Sequence, residues 1–194
     1  MPAGRPIEFD IDATLELAME FFWARGYRSG GINDLVAYTG VGRQSLYNTF
    51  GNKRELFIRV IHHYRNTRLS NALALLARSG SQLQNVRDAV GFFEKLALDK
   101  SARGCLIANA LVEIGHDDPE ISGLLGETLA LLENGFRNAL ASAQKSGELS
   151  PRKNPRALAR ALTNASIGMA VTSRLKKGRA EIADIYAGTL AMLT

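Results

Sequence analysis

The sequence has one cysteine, Cys105, among its 194 residues. A single cysteine excludes an internal disulfide and any metal knuckle built on C-x-x-C, and it is consistent with a reducing compartment. Long apolar runs are also missing. No stretch approaches the roughly 18 apolar residues of a membrane helix, and the start MPAGRPIEFD lacks the apolar core of a signal peptide. We therefore expect a cytoplasmic protein that does not enter the membrane.

Motifs of catalysis and metal binding are equally scarce. His62, His63 and His116 lack the spacing of metal ligands, and there is no HExxH, so we expect no zinc. We find no nucleophile–base pairing and no cofactor motif, which makes an enzyme the least favoured class and predicts no cofactor. The stretch TGVGRQS is not a phosphate-binding loop, because Arg43 replaces the lysine of that motif and helical periodicity, not a strand, precedes it.

Composition indicates an ordinary globular protein, with 46% apolar and 22% charged residues. The net charge of +5 is modest, but its distribution is uneven. Between Arg25 and Arg54 there are five basic residues and one acidic residue, an excess of four in thirty positions. Such a segment is either a surface that faces a polyanion or an ordinary solvated basic face.

Apolar periodicity predicts an all-α protein of about nine helices with no convincing strand. Asp10 or Asp12 caps the first helix, Asn52 and Glu55 form a capping-box-like start to the fourth, and prolines begin two later helices. The predicted helices cover approximately residues 11–24, 32–38, 43–49, 54–78, 81–99, 105–115, 119–147, 155–178 and 180–193.

The second and third helices form a helix-turn-helix candidate, since Gly40 permits a sharp turn and Val41 can plug the interface between them. At the start of the third helix, Arg43, Gln44 and Ser45 can reach base edges in a major groove, and Asn48 completes the set. Tyr47 and Lys53 are better placed for phosphates. A helical hairpin that binds no nucleic acid is the alternative.

The segment from about Leu15 to Phe57 resembles the DNA-binding part of TetR-type bacterial transcriptional regulators. The resemblance includes the run L-Y-x-x-F-x-x-K-x-x-L, which here comprises Leu46, Tyr47, Phe50, Lys53 and Leu56. It implies a helix-turn-helix DNA-binding domain over residues 1–53 and a helical effector-binding and dimerisation domain over residues 54–194. It further implies a homodimeric repressor that binds a palindromic double-stranded DNA operator and is released by a small-molecule effector.

The last two helices carry small residues in a row that would let a partner helix approach closely. A twofold dimer would read two half-sites, so we predict a homodimer, with packing inside one chain as the alternative. The predicted interface residues are Leu158, Ala161, Leu162, Ala165, Gly168, Met169, Ile182, Tyr186 and Thr189.

The middle helices are expected to enclose the effector site, but the sequence says little about its lining. The candidates are Tyr64, Phe92, Phe93, Cys105, Asn109, Glu113 and Phe136. Cys105 begins a helix, where the dipole can lower the pKa of a thiol, so it is either a reactive sensor or a buried inert residue. A helical small-molecule or thiol sensor that has lost operator recognition is the alternative function.

Overall fold

The computed structural model describes residues 9–100, 103–115, 117–175 and 178–194. These ranges contain nine helices and no strand, which confirms the predicted all-α fold. The fourth helix, labelled α4, is continuous but consists of three parts: Lys53–Tyr64, a π-helical turn Arg65–Leu69, and Ser70–Leu76. The others are α1 (Ile11–Arg25), α2 (Ile32–Thr39), α3 (Arg43–Phe50), α5 (Gln82–Leu98), α6 (Leu106–Ile114), α7 (Pro119–Lys145), α8 (Pro155–Thr172) and α9 (Arg179–Ala191).

Local capping explains most of the helix boundaries. The Asp10 carboxylate accepts from the amides of Asp12 and Ala13 at the start of α1. At the start of α4, Asn52 and Glu55 form a complete capping box, as the sequence predicts. These caps satisfy amides that would otherwise lack partners in the first helical turn.

The predicted end of α8 near Gly178 is wrong, because the helix ends at Thr172. The chain turns back at Gly178, where a Cβ atom would lie 2.4 Å from the carbonyl oxygen of Thr172. Only glycine fits so close to the end of α8, so this residue marks the turn into α9 and not the end of α8.

Two apolar cores hold the helices together. The first joins α1–α4 to α6 and the start of α7, with Phe22, Phe57, Leu106 and Ile121 fully buried in it. The second joins the end of α4 to α5, α7, α8 and α9. The first core therefore extends past Gly51, which follows α3, into α6 and α7. These two later helices are packed against the N-terminal helices.

No helix within the described ranges is both long and apolar enough to span a membrane.

Candidate nucleic-acid interface and ligand cavity

The turn between α2 and α3 has the geometry of a helix-turn-helix. Gly40 has φ 71° and ψ 3°, a left-handed conformation that residues with a Cβ rarely adopt, and its amide donates to the carbonyl of Val36. Leu35 from α2 and Leu46 from α3 are buried where the two helices meet, and Val41 is half-buried beside them. The turn therefore fixes α3 at an angle to α2 and leaves one face of α3 outside.

The outward face of α3 carries the side chains predicted to contact DNA. Leu46 and Phe50 are buried, whereas the other side is exposed and comprises Arg43, Gln44, Ser45, Tyr47 and Asn48. The side-chain amide of Gln44 donates to the Asn48 oxygen at 2.8 Å, and the Arg43 guanidinium donates to Asn33 on α2. These contacts hold polar groups in a fixed arrangement on an exposed helix.

The first turn of α3 has no side-chain cap, because Gly42 stands at the N-cap. Its amides and the positive end of the helix dipole are thus directed outward without a competing side-chain oxygen. Gly31 likewise leaves α2 without a side-chain cap hydrogen bond, although the Asp34 carboxylate lies near the first turn of that helix. Both helix starts can donate to an anion such as a DNA phosphate.

Lys53 stands at the start of α4, as predicted, and its side chain contacts the turn after α1. Its ammonium is 4.9 Å from the centre of the Tyr27 ring and donates to the Arg28 carbonyl at 3.4 Å. Burial lowers the pKa of Lys53, and the nearby carboxylate of Glu113 partly opposes that change. In this arrangement Lys53 connects α4 to the turn after α1, and its contact with phosphate stays a prediction. The sequence does not show that Tyr27 and Lys53 are neighbours, since 26 positions separate them.

Glu113 does not line the cavity, contrary to prediction. Its carboxylate accepts from the backbone amides of Tyr27 at 2.8 Å and Arg28 at 2.7 Å. Gly26 allows this approach, since a Cβ there would lie 3.0 Å from both carboxylate oxygens and its φ is +84°. The end of α6 is therefore hydrogen-bonded to the turn between α1 and α2. The sequence alone places this carboxylate only on a helix, without a partner.

A second connection joins the start of α4 to the start of α7. The Arg54 guanidinium binds both oxygens of Asp118, at 2.6 and 2.9 Å, and one oxygen of Glu120 at 2.6 Å. This hydrogen bonding from Arg54, helped by the amide of Ile121, holds the pKa of Asp118 at about 2. Arg28 also pairs with Asp117. Two basic residues of the N-terminal part, Arg28 and Arg54, thus pair with carboxylates between α6 and α7 and at the start of α7.

A cavity of about 380 Å³ lies between α1, α4, α5, α6, α7 and α8. Tyr64, Phe92, Phe93 and Cys105, four of the residues predicted to line an effector site, lie in its lining, and their contact with an effector stays a prediction. Asn109 and Phe136 do not: the Asn109 amide donates to the Arg103 carbonyl, and Phe136 is fully buried in the second core. Residues that the sequence did not indicate include Trp23, Arg68, Ile107, Thr128, Leu132, Ser166 and Ile167. They come from five helices, so no local sequence pattern could have grouped them.

Trp23, Tyr64 and Cys105 meet on one side of this cavity. The rings of Trp23 and Tyr64 pack edge to face, 5.3 Å between centroids, and the Trp23 indole donates to the Gly104 carbonyl at 3.2 Å. The Tyr64 hydroxyl is 3.8 Å from the sulfur of Cys105. Burial raises the pKa of the Cys105 thiol, although amides of α6 act in the opposite direction. The predicted lowering by the helix dipole is therefore outweighed.

The π-helical turn of α4 borders the same cavity, with Arg68 and Leu69 in its lining. Glu16 on α1 pairs with Arg68 and lies 2.9 Å from the imidazole of His63. Such turns inside α-helices frequently occur at functional sites. Among the described residues no three potential ligands are grouped to hold a metal ion, and His116 lies outside those residues.

The helices α8 and α9 each bury one face and expose another. Leu162, Met169, Ile182 and Thr189 are buried within the chain, so their predicted place on a partner-facing surface is wrong. The larger side chains turn inward to fill the second core. The remaining predicted interface residues, Leu158, Ala161, Ala165, Gly168 and Tyr186, are half-buried. The exposed surface of the two helices includes small residues, namely Ala157, Ala180, Ala183, Ala187, Gly188 and Ala191, with Val171, and also charged side chains such as Arg160 and Asp184.

Comparisons with known proteins agree with this architecture. Residues 15–60 match the family model described as bacterial regulatory proteins, tetR family, and residues 72–188 match the tetracyclin repressor-like C-terminal domain. The HTH-type transcriptional regulator YezE of Bacillus subtilis is 33% identical over 147 residues, 75% of this chain and 76% of its own. The repressor ComR of Escherichia coli is 28% identical over 97% of this chain and 91% of its own.

Among solved structures, the regulator CifR in complex with a 26-base-pair operator superposes with a TM-score of 0.89 at 22% identity, covering 98% of this chain and 100% of that one. A TetR regulator from Chloroflexus aurantiacus superposes with a TM-score of 0.82 at 19% identity, covering 92% of this chain and 90% of that one. At these identities the likeness shows the fold. Together with the family models, it establishes that the chain belongs to the TetR family of bacterial transcriptional regulators.

Proposed function

We propose that the protein is a ligand-responsive repressor that binds a palindromic operator as a homodimer and leaves it when a small molecule occupies the cavity. The position of α6, between the cavity and the turn before the helix-turn-helix, carries this proposal. The helix begins beside Cys105, which lines the cavity, and ends at Glu113, which holds the turn before the helix-turn-helix. One short helix therefore joins a candidate ligand site to a candidate DNA-binding surface.

The DNA-binding part of the proposal is supported by the outward face of α3. Arginine and glutamine are the side chains that pair with guanine and adenine in the major groove, and Arg43 and Gln44 are exposed in the first turn. The uncapped starts of α2 and α3 supply amides for phosphates. ComR is named a repressor and CifR is bound to operator DNA, and we extend both properties to this chain.

The dimer is supported by the exposed small-residue surface of α8 and α9. Small side chains there let the same helices of a second copy approach closely, and such packing would bury the exposed alanines and the glycine. Two copies would present two α3 helices for successive major grooves.

DNA binding is tested by fluorescence anisotropy with the DNA that flanks the coding region and with a scrambled duplex, each at several salt concentrations. Gln44→Ala should weaken binding to the operator by about 1–3 kcal/mol and change binding to scrambled DNA little. Gln84→Ala on α5 is the matched control, because Gln84 is also exposed and donates to a residue four positions on at 2.8 Å.

Wild-type affinity should fall steeply with salt, since phosphate contacts release counterions. Equal losses for Gln44→Ala on both duplexes would show that α3 does not read bases. Failure of the wild-type protein to bind either duplex would favour the alternative, a helical sensor without operator recognition.

A further inference from the structure

We propose that the cavity accepts a compact, uncharged, mainly apolar molecule that carries a carbonyl-type oxygen, and that the Tyr64 hydroxyl donates a hydrogen bond to this oxygen. The inference rests on the proposed function, because it names the class of effector for the same cavity. It uses the walls of the cavity, its polar groups and the pairing of its charged residues.

The walls are mainly apolar and aromatic. Trp23, Phe92 and Phe93 contribute rings, and leucine and isoleucine side chains from α4, α6, α7 and α8 complete the surface. A volume of about 380 Å³ is near the lower end of the range of ligand sites, about 300–1,000 Å³. Burial of an apolar ligand against these walls is favourable, and the size limits the ligand to a compact one.

Four hydroxyl groups lie in the lining, and three of them already have good acceptors. Ser173 donates to the Ala170 carbonyl at 2.7 Å. Thr128 donates to the Leu124 carbonyl at 2.7 Å, and Ser166 donates to the Leu162 carbonyl at 2.9 Å. The Tyr64 hydroxyl differs, because the partner it has among the described residues is the Cys105 sulfur at 3.8 Å. A thiol is a weak hydrogen-bonding group, so the phenol keeps most of its donor capacity for a ligand oxygen.

The charges around the cavity favour an uncharged ligand. Arg68 is paired with Glu16, and Glu20 accepts from the Tyr38 hydroxyl at 3.3 Å. Asp99 also lies in the lining, so the acidic residues Glu20 and Asp99 disfavour an anionic ligand. Burial raises the pKa values of Tyr64 and Cys105, so both groups on this side are neutral at physiological pH. A carboxylate ligand would instead require Arg103, which lies at the edge of the cavity and also lines an adjoining depression with Arg174.

Three probes of similar shape distinguish an uncharged carbonyl ligand from a purely apolar ligand and from an anion. They are 2-acetylnaphthalene, 2-isopropenylnaphthalene, in which a methylene replaces the carbonyl oxygen, and 2-naphthoate, which carries a charge. Equilibrium dialysis gives their affinities, and quenching of Trp23 locates them, because Trp23 lines the cavity and the chain has no other tryptophan.

The wild-type protein should bind the ketone at least about fivefold more tightly than the hydrocarbon, as expected for one buried hydrogen bond. Tyr64→Phe should remove this preference by weakening the ketone alone. Tyr27→Phe is the matched control, since it deletes a phenol hydroxyl outside the cavity lining. A purely structural role for Tyr64 would change both affinities by the same factor.

Equal affinity for ketone and hydrocarbon in the wild type, tighter binding of 2-naphthoate, or no binding of any probe overturns the inference. None of these results decides the proposed function, which the duplex-binding measurements on Gln44→Ala test separately. If the ketone binds with the predicted preference but the protein binds no DNA, the cavity assignment holds and the repressor proposal fails.

Discussion

Glu113→Ala removes the carboxylate that joins the end of α6 to the turn between α1 and α2. In the intact protein this group accepts from the amides of Tyr27 at 2.8 Å and Arg28 at 2.7 Å. Hydrogen bonds to a charged group contribute about 1.5–3 kcal/mol each, and the Arg28 amide is near solvent, so its share lies at the low end. We expect the variant to lose about 2–4 kcal/mol of unfolding free energy.

The loss should be measured by denaturant unfolding at matched protomer concentration, because a dimer gains stability with concentration. Amide hydrogen exchange should also accelerate at Tyr27 and Arg28 more than elsewhere in α1 and α2. Glu127→Ala, which removes an exposed carboxylate from α7, is the control and should change stability by less than about 0.5 kcal/mol. If Glu113→Ala behaves like this control, water replaces the carboxylate at no cost and the hydrogen bonds contribute nothing.

Two further predictions concern the thiol and the dimer. Because burial raises the pKa of Cys105, the thiolate fraction at pH 7.5 is low, and alkylation by iodoacetamide should be markedly slower in the folded protein than in urea and should accelerate as pH rises. Equal rates in the folded and unfolded chain would refute the protected-thiol assignment. Gly188→Glu places a charge on the exposed surface of α9 and should give monomers in sedimentation, whereas Gly126→Glu, at an equally open glycine of α7, should not. A dimeric Gly188→Glu protein would exclude this part of α9 from the interface.

The helices were predictable because their signals are local. The Asp10 cap, the Asn52–Glu55 box and the Gly40 turn each depend on residues within four positions of one another. The exposed face of α3 follows from the same local periodicity, since burial of Leu46 and Phe50 leaves the opposite side outside. The exposed set on α3 could therefore be identified without a structure, and its contact with DNA stays a prediction.

The cavity and the dimer surface could be identified only in part, because they depend on which face of each helix packs inward. Periodicity indicates that α8 has a large-residue face and a small-residue face, but not that Leu162 and Met169 turn inward. Phe136 was an equally plausible lining residue until its packing in the second core was known. Glu113 was wrongly predicted to line the cavity because its partners are backbone amides 85 and 86 positions away. Every residue other than proline has such an amide, so the sequence does not indicate which ones a carboxylate will bind.

The position of α6 explains how occupation of a cavity could alter DNA binding. Its nine residues span about 13 Å. Cys105 and Ile107 line the cavity at one end, while Glu113 holds the Tyr27–Arg28 turn near the other. Under the proposed function, a ligand changes operator affinity only by as much as its own affinity differs between the operator-bound and the released protein. We expect ligands that contact Cys105 or Ile107 to differ more between these two states than ligands that contact only Phe92, so binding in the cavity and release from DNA need not follow the same order among ligands.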